Sequence, residues 1–354
     1  LDNLLNKLNP IKNIYISVIV PILAIFTALI LSSVVIILSG SNPLLAYLAL
    51  AEGAFGNLNN WIETILKTTP LIIGGLGVAL AFRGGLFNIG VEGQIFVGSI
   101  ASVIIGTTLK APAIIHIPLT LLAGVIAGAV WAAIPGYLKA KFGAHEVITT
   151  IMTNYIATRI ITWSIGMNGP LRKTTSFVPE TNSLLETARL PIMISDTRLH
   201  IGIVIALILA IVVYILLFRT TLGIEIRTVG LNITAAKYCG IKVNRNIVLT
   251  MAISGGLAGL AGAIQVTAVY HRLIPSISSG YGFMGLMIAM LINYQAIWLA
   301  PIALFFAALN IGGIQLPIVL KLDSSLTGVL QGSLVLFVMI SQGVKQLFLR
   351  KKLE

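Results

Sequence analysis

The chain has 354 residues, of which 57% are hydrophobic and only 10% charged, and its mean hydropathy is +1.00. Those values exclude a soluble domain and point to a chain that crosses a membrane many times. The formal charge of +12 is accounted for by basic loops beside anionic lipid head groups, so no nucleic-acid partner is required; a single cysteine, Cys239, excludes an intrachain disulfide and a CxxC metal site.

A helix needs about 20 apolar residues to cross the hydrocarbon. Stretches that qualify lie at 14–38, 64–82, 93–109, 115–138, 147–166, 201–218, 247–270, 282–295, 297–312 and 326–345. The expected fold is all-α, a single transmembrane domain over 1–354 with about ten spans, some broken or re-entrant. The first run is too long for a signal-peptide core and is expected to remain as a span. Segment 40–63 is too short and interrupted to span and reads as an interfacial helix. Between the spans at 282–295 and 297–312 only Asn293, Tyr294 and Gln295 supply a break.

Residues 82–94 read FRGGLFNIGVEGQ, a polar, glycine-rich interruption between two oily runs. Gly84, Gly85, Gly90 and Gly93 permit backbone that a continuous helix would not adopt, with positive φ expected among them. The freed N–H and C=O groups must then be satisfied by protein or water. If a helix restarts near residues 89–91, Asn88 is placed to cap it and Glu92 falls in its first turn, within reach of Arg83. The stretch reads either as a structural turn or as a broken-helix element of a permeation route.

Segment 167–200 carries Pro170, Pro179 and Pro191 and reads as an ordered external cap or loop. Segment 219–246 is the large loop on the other side, with Gly223, Gly230 and Gly240 punctuating two short helices. It suits a surface for another protein, and equally a solvated basic loop. The following run, MAISGGLAGLAGAIQ, offers a small-residue face for close helix packing. Lys and Arg collect on one side, at Lys7, Lys12, Arg83, Lys139, Lys141, Arg219, Arg227, Lys237, Lys242, Arg245 and Arg350 among others. By the positive-inside rule both termini are cytoplasmic.

No lysine follows a glycine, so the phosphate loop of an ATPase is absent. His145-Glu146 begins like HExxH but ends at Thr149, and no serine stands in a nucleophile elbow. An intramembrane enzyme is therefore disfavoured. What remains is polar chemistry in or at the ends of spans: Asn88, Glu92, Gln94, Asn154, Arg159, Gln265 and Gln331. Each alone reads as a helix–helix hydrogen bond; together they suggest a path for a neutral polar solute. A secondary transporter would use the same features but has no need of the glycine-punctuated insert.

FRGGLFNIGVEGQ, GAHEVITTIMTNYIA (143–157), TLGIEIRTVGLNITAAKYCGIKVNR (221–245) and ISGGLAGLAGA (253–263) together resemble the permease subunits of ATP-binding-cassette importers of the ribose and branched-chain amino-acid group, and among them the nucleoside permeases. The likeness covers roughly 60–345. It implies a multi-pass subunit of the bacterial cytoplasmic membrane, itself not an enzyme, working with cytoplasmic ATPase subunits that bind the ATP and magnesium. It further implies a second permease subunit in a heterodimer and an external solute-binding protein, with membrane lipid the only other partner. Segment 221–245 would dock on the ATPase through Arg227, Gly230, Asn232, Ala235, Ala236, Gly240 and Ile241, with Ala236 a small position where a charge blocks docking. Asn88, Glu92, Gln94, Asn154 and Met284 would line the path. Met284 stands where the family commonly has an aspartate after Gly-Tyr-Gly-Phe, which leaves sugars or branched-chain amino acids as the alternative solute.

Overall fold

The computed structural model describes residues 26–195, 197–292 and 299–321, together with 325, 326, 328–333, 336, 337 and 340. Among them, regular structure is helical apart from two isolated bridges, Arg172 to Thr181 and Ile192 to His200. The helices in order are α1 (Phe26–Leu38), α2 (Pro43–Phe55), α3 (Leu58–Arg83), α4 (Val91–Thr108), α5 (Ala113–Phe142), α6 (Glu146–Ser164), α7 (Gly202–Arg219), α8 (Thr221–Leu231), α9 (Ile233–Tyr238), α10 (Val243–Ile264), α11 (Tyr281–Leu291), α12 (Leu299–Gly312) and α13 (Gln315–Leu320). The chain divides into two compact units, Leu1–Trp61 with Ala308–Glu354, and Ile62–Ala307.

Six helices among the described residues are long and apolar enough to cross a membrane, or up to seven if α1 and α2, which meet at 110°, form one broken span. That is fewer than the ten expected, for physical reasons. Segment 147–166 is helical as α6, but its threonines, Asn154 and Arg159 keep it out of the apolar class. Segment 282–295 yields only the 11 residues of α11, about 16 Å of helix. The expected spans 14–38 and 326–345 lie partly outside the described residues, and the break at Asn293, Tyr294 and Gln295 wholly so.

In the unit containing both chain ends, Asn42 accepts from Leu44 N–H at 2.9 Å and Pro43 opens α2, which suits a residue without an N–H. Ala28, Ile36, Ala46, Leu50 and Leu316 form its core. The Tyr47 hydroxyl donates to Leu29 C=O at 2.7 Å, tying α2 back to α1.

The unit Ile62–Ala307 is organised around α10. Its glycines meet other backbones directly: a Cβ on Gly98 or Gly128 would strike Gly259 or Gly255, one on Gly262 would strike Ile95 C=O, and one on Gly77 would sit 2.7 Å from Ser254 C=O. The small-residue face expected of 253–263 is thus used against α3, α4 and α5 at once. Past Ile264 the helix widens into a π turn, Gln265–Tyr270, that ends with His271 at φ 53°.

Segment 167–200 is an ordered cap. Thr181, Leu184 and Leu190 donate backbone hydrogen bonds to Leu273, His271 and Thr267, while Leu184 and Ala188 bury against Val103, Ile161 and Ile277. Buried His200 accepts from Gly202 N–H through Nδ1 at 3.1 Å, and burial pushes its pKa down to about 4.

Gly259→Val tests the backbone contact. A side chain there collides with Gly124 C=O and sits 3.0 Å from Gly128 Cα, so the detergent-solubilised protein is expected to lose on the order of 1–3 kcal/mol or more, read as a lower thermal midpoint. An unchanged midpoint would show that α5 and α10 are not pressed together.

Candidate functional site

The break falls between Arg83 and Val91. Gly84 and Gly85 close α3 with turns onto Ala81 and Phe82 C=O, and Gly85 takes φ +72°, which favours glycine. Gly90 does not require that freedom: its φ is −74°. What demands glycine at 90 and 93 is space. A Cβ on Gly90 would sit 2.8 Å from Gln94 Nε2 and 3.0 Å from Asn88 Oδ1, and one on Gly93 would sit 2.8 Å from Asn154 Oδ1. The expectation of positive φ among these glycines therefore holds at Gly85 and gives way to close packing at Gly90.

The polar side chains fill that space with hydrogen bonds. Asn88 Oδ1 accepts from Gly90 N–H at 3.0 Å and from Gln94 Nε2 at 2.9 Å. Asn88 Nδ2 donates to Gln94 Oε1 at 3.0 Å and to Ser254 Oγ at 2.8 Å. Ser254 in turn donates to Gly77 C=O at 2.7 Å. Both donors and both acceptor directions of the Asn88 amide are thus committed to protein. Asn154 clamps the turn from α6, accepting from Gly93 N–H and donating to Ile89 C=O, each at 2.8 Å.

Glu92 is buried. Its carboxylate accepts from Gly280 N–H at 3.2 Å and Gly282 N–H at 2.8 Å, and not from Arg83 as the sequence suggested. It thereby caps α11, a helix distant in sequence, placing negative charge at that helix's positive end. Gly282 leaves no room for a Cβ beside Glu92 N–H. Met284 lies half-buried in the first turn of this same helix.

At the basic end of the unit, Lys139 and Glu146 pair at 2.8 Å, and Arg83 and Arg227 both stack on Phe218, at 5.8 and 5.0 Å. A hollow of about 380 Å³ there is lined by residues including Gly84, Lys139, Gly230, Asn232 and Ile247. Gly230 of α8 rests on the turn itself: a Cβ would collide with Arg83 C=O and lie 2.7 Å from Gly85 N. Asn232 caps α9, accepting from Thr234 and Ala235 N–H at 2.9 and 3.0 Å, and Gly240 turns the chain at φ +76°. Ala235 is exposed, but Ala236 is fully buried with Leu86, Val229 and Met251, and Ile241 packs beside it. A charge at Ala236 would therefore break this segment's own packing before it met any partner. The most exposed large side chains of the segment are Leu231, 87% exposed, and Tyr238, 89% exposed, with Ile224 and Ile233 about half exposed. In the sequence Tyr238 falls with Ile226, Val229, Ile233 and Ala236 on a partly apolar face of this segment, but it is not among the docking positions expected there, and Leu231 is in neither set; a Leu and a Tyr at the ends of two short helices were the available signal.

Residues 60–339 match the family model described as the branched-chain amino acid transport system / permease component. The chain belongs to that family. This permease is 39% identical over 332 residues to the guanosine ABC transporter permease protein NupP of Bacillus subtilis (strain 168), covering 92% of this chain and 94% of the relative. It is 35% identical to the nucleoside ABC transporter permease protein NupB of Lactococcus lactis subsp. cremoris (strain MG1363), over 83% of both chains. Similarity extends to the glucose ABC transporter permease protein TsgB13 of Haloferax volcanii, at 28% identity over 92% of this chain and 88% of the relative. No solved structure matches the permease.

Asn88→Asp keeps the shape of the amide and removes both of its donors. In this permease it leaves Gln94 Oε1 and Ser254 Oγ facing an acceptor, with an expected loss of about 1–3 kcal/mol per unpaired buried group, read by thermal unfolding in detergent. Glu92→Gln is expected to lose one of the two acceptors that cap α11, with a smaller drop in the same assay. Wild-type midpoints in both variants would refute the network.

Proposed function

We propose that this permease is the nucleoside-carrying membrane subunit of an ABC importer in a bacterial cytoplasmic membrane, with both termini cytoplasmic. The single observation that carries the solute assignment is the 39% identity, over nearly the whole of both chains, with a permease named for guanosine. The glucose permease, at 28%, supports a sugar as the second reading. A second permease subunit is supported by the relatives themselves: NupQ of the same Bacillus subtilis strain is also similar to this chain, at 28% identity over 268 residues. ATP and magnesium belong to separate cytoplasmic ATPase subunits, and an external binding protein delivers the solute to the side of the 167–200 cap.

Segment 219–246 is the coupling element. Leu231 and Tyr238 are apolar and exposed in a basic, hydrated loop, which suits anchors for a partner's pocket. Arg227, Gly230, Asn232 and Gly240 shape the segment, Ala235 accompanies the anchors, and Ala236 and Ile241 hold it to the unit. The backbone seat of Gly230 on Arg83 and Gly85 passes displacement of α8 to the broken turn, and Glu92 passes it on to α11. Asn88, Gln94 and Asn154 act on the path by holding this junction, and Met284 by its place on α11.

Uptake of radiolabelled guanosine into cells carrying the whole system tests the solute. Competition is expected from unlabelled nucleosides and not from glucose or leucine; the reverse pattern would replace the assignment. Tyr238→Ala and Leu231→Asp are expected to weaken ATPase association by about 2 kcal/mol each while the permease still assembles in the membrane. Normal co-purification and transport in both would remove the anchors. Exposed Cys239 is expected to react with an impermeant thiol reagent only from the cytoplasmic side.

A further inference from the structure

At 19 residues α6 is long enough to cross a membrane, yet it is absent from the six apolar spans. Its inner face, with Thr150, Thr153, Asn154, Ala157 and Ile161, is buried. Its outer face carries Tyr155, 67% exposed, and Trp163, 66% exposed, with Thr158 and Arg159 also exposed between them. A shallow hollow of about 420 Å³ lies over Tyr155, Ile156, Arg159, Ile160 and Trp163. Among the described residues Arg159 has no hydrogen-bond or ion-pair partner.

An arginine stays charged in any protein environment and is costly against hydrocarbon. An interfacial aromatic belt does not explain the stripe either. Tyr155 and Trp163 are eight residues apart, about 12 Å along the helix axis, and Tyr155 sits at mid-helix, so the two rings cannot share one head-group level. The next helix in the chain, α7, exposes an almost wholly apolar face, Leu207, Ile208, Ile211 and Ile215 with Tyr214, whereas on α6 the exposed Ile148, Met152 and Ile156 alternate with Tyr155, Arg159 and Trp163. The face of α6 is also held in a fixed rotation, because Asn154, next to Tyr155, is clamped to Ile89 and Gly93.

We propose that the Tyr155, Arg159 and Trp163 face of α6 is a water-lined wall of the solute path and that Arg159 contacts the solute. The nature of that solute rests on the nucleoside reading above; the aqueous character of the wall does not. Arg159 offers only donors, a fork that matches a carbonyl oxygen beside a ring nitrogen, as on the O6 and N7 edge of guanine. Adenine places an amino donor at the corresponding position and is matched less well. Tyr155 and Trp163 supply faces on which a base stacks.

The test uses the full transporter in cells, with Cys239→Ser as background and single cysteines at Tyr155, Arg159, Trp163 and, for the lipid face, Ile211. A charged thiol reagent is expected to modify the first three and to spare Ile211→Cys, with guanosine slowing modification at 155 and 159. If Tyr155→Cys and Arg159→Cys are as inert as Ile211→Cys, or if only Trp163→Cys reacts, the wall is lipid-facing and the proposal is overturned. Modification that guanosine does not slow, in a background that still takes up guanosine, overturns the solute contact. In parallel, Arg159→Met is expected to lower guanosine uptake about tenfold more than adenosine uptake, with Arg159→Lys intermediate and co-purification of the partner subunits unchanged. Equal losses for both nucleosides would overturn the recognition role. Failure of the wild type to take up any nucleoside would instead remove the nucleoside reading and leave the labelling pattern to stand alone.

Discussion

Backbone freed from a helix inside an apolar protein has no water to bind and must be satisfied by the protein itself. The break between α3 and α4 is where that constraint bites hardest. The answer is a closed set of amides: Asn88 against Gln94, Gly90 and Ser254, with Asn154 holding Ile89 and Gly93. Each amide both donates and accepts, so each closes two open ends at once. The same requirement explains Glu92. An acceptor with two oxygens is what a helix starting at Tyr281, after a left-handed Gly280, needs at its exposed N–H groups.

The glycine content then follows from the space left over. With the interior occupied by amides and by helix backbones in direct contact, a Cβ has no room at Gly93, Gly230, Gly259 or Gly282. Direct backbone contact also removes slack. A displaced Leu or Met can change rotamer to absorb a small movement; Gly230 against Arg83 C=O has nothing to rotate. The junction of α8 with the turn therefore has no rotamer slack, which is the property the proposed coupling element requires.

Much of this was legible in the sequence. Polar residues and glycines clustered between apolar runs can only mean a break, and the small-residue run at 253–263 announced close packing that the structure contains. The partners were not legible. Asn88 finds Ser254 and Glu92 finds Gly280 and Gly282 across more than 160 residues of chain, and no local pattern encodes such pairings. For that reason the sequence offers Glu92 only local roles, the first turn of its own helix and the reach of Arg83, the nearest opposite charge. Six or seven of the ten expected spans are found among the described residues; on α6 the threonines, Asn154 and Arg159 dilute an apolar run that the sequence reads as a span. Arg159 appeared as one polar residue among many, and only its outward direction separates it from Asn154, five residues earlier and facing inward.

That difference in direction changes how a transport role is divided among the polar residues. A group can hydrogen-bond a passing solute only if it has a donor or acceptor to spare. Asn88 has none, and Asn154 and Glu92 are occupied by backbone N–H and C=O groups that would be stranded if the solute took their place, at a cost of about 1–3 kcal/mol each. In the proposed transport role such residues act by fixing geometry. Contact with the solute falls to side chains whose polar atoms are unclaimed and outward, and on α6 the inner amide of Asn154 sets the angle at which Tyr155 and Arg159 are presented. One helix thus carries both functions on opposite faces, with the rigid turn as the reference against which the outer face is held.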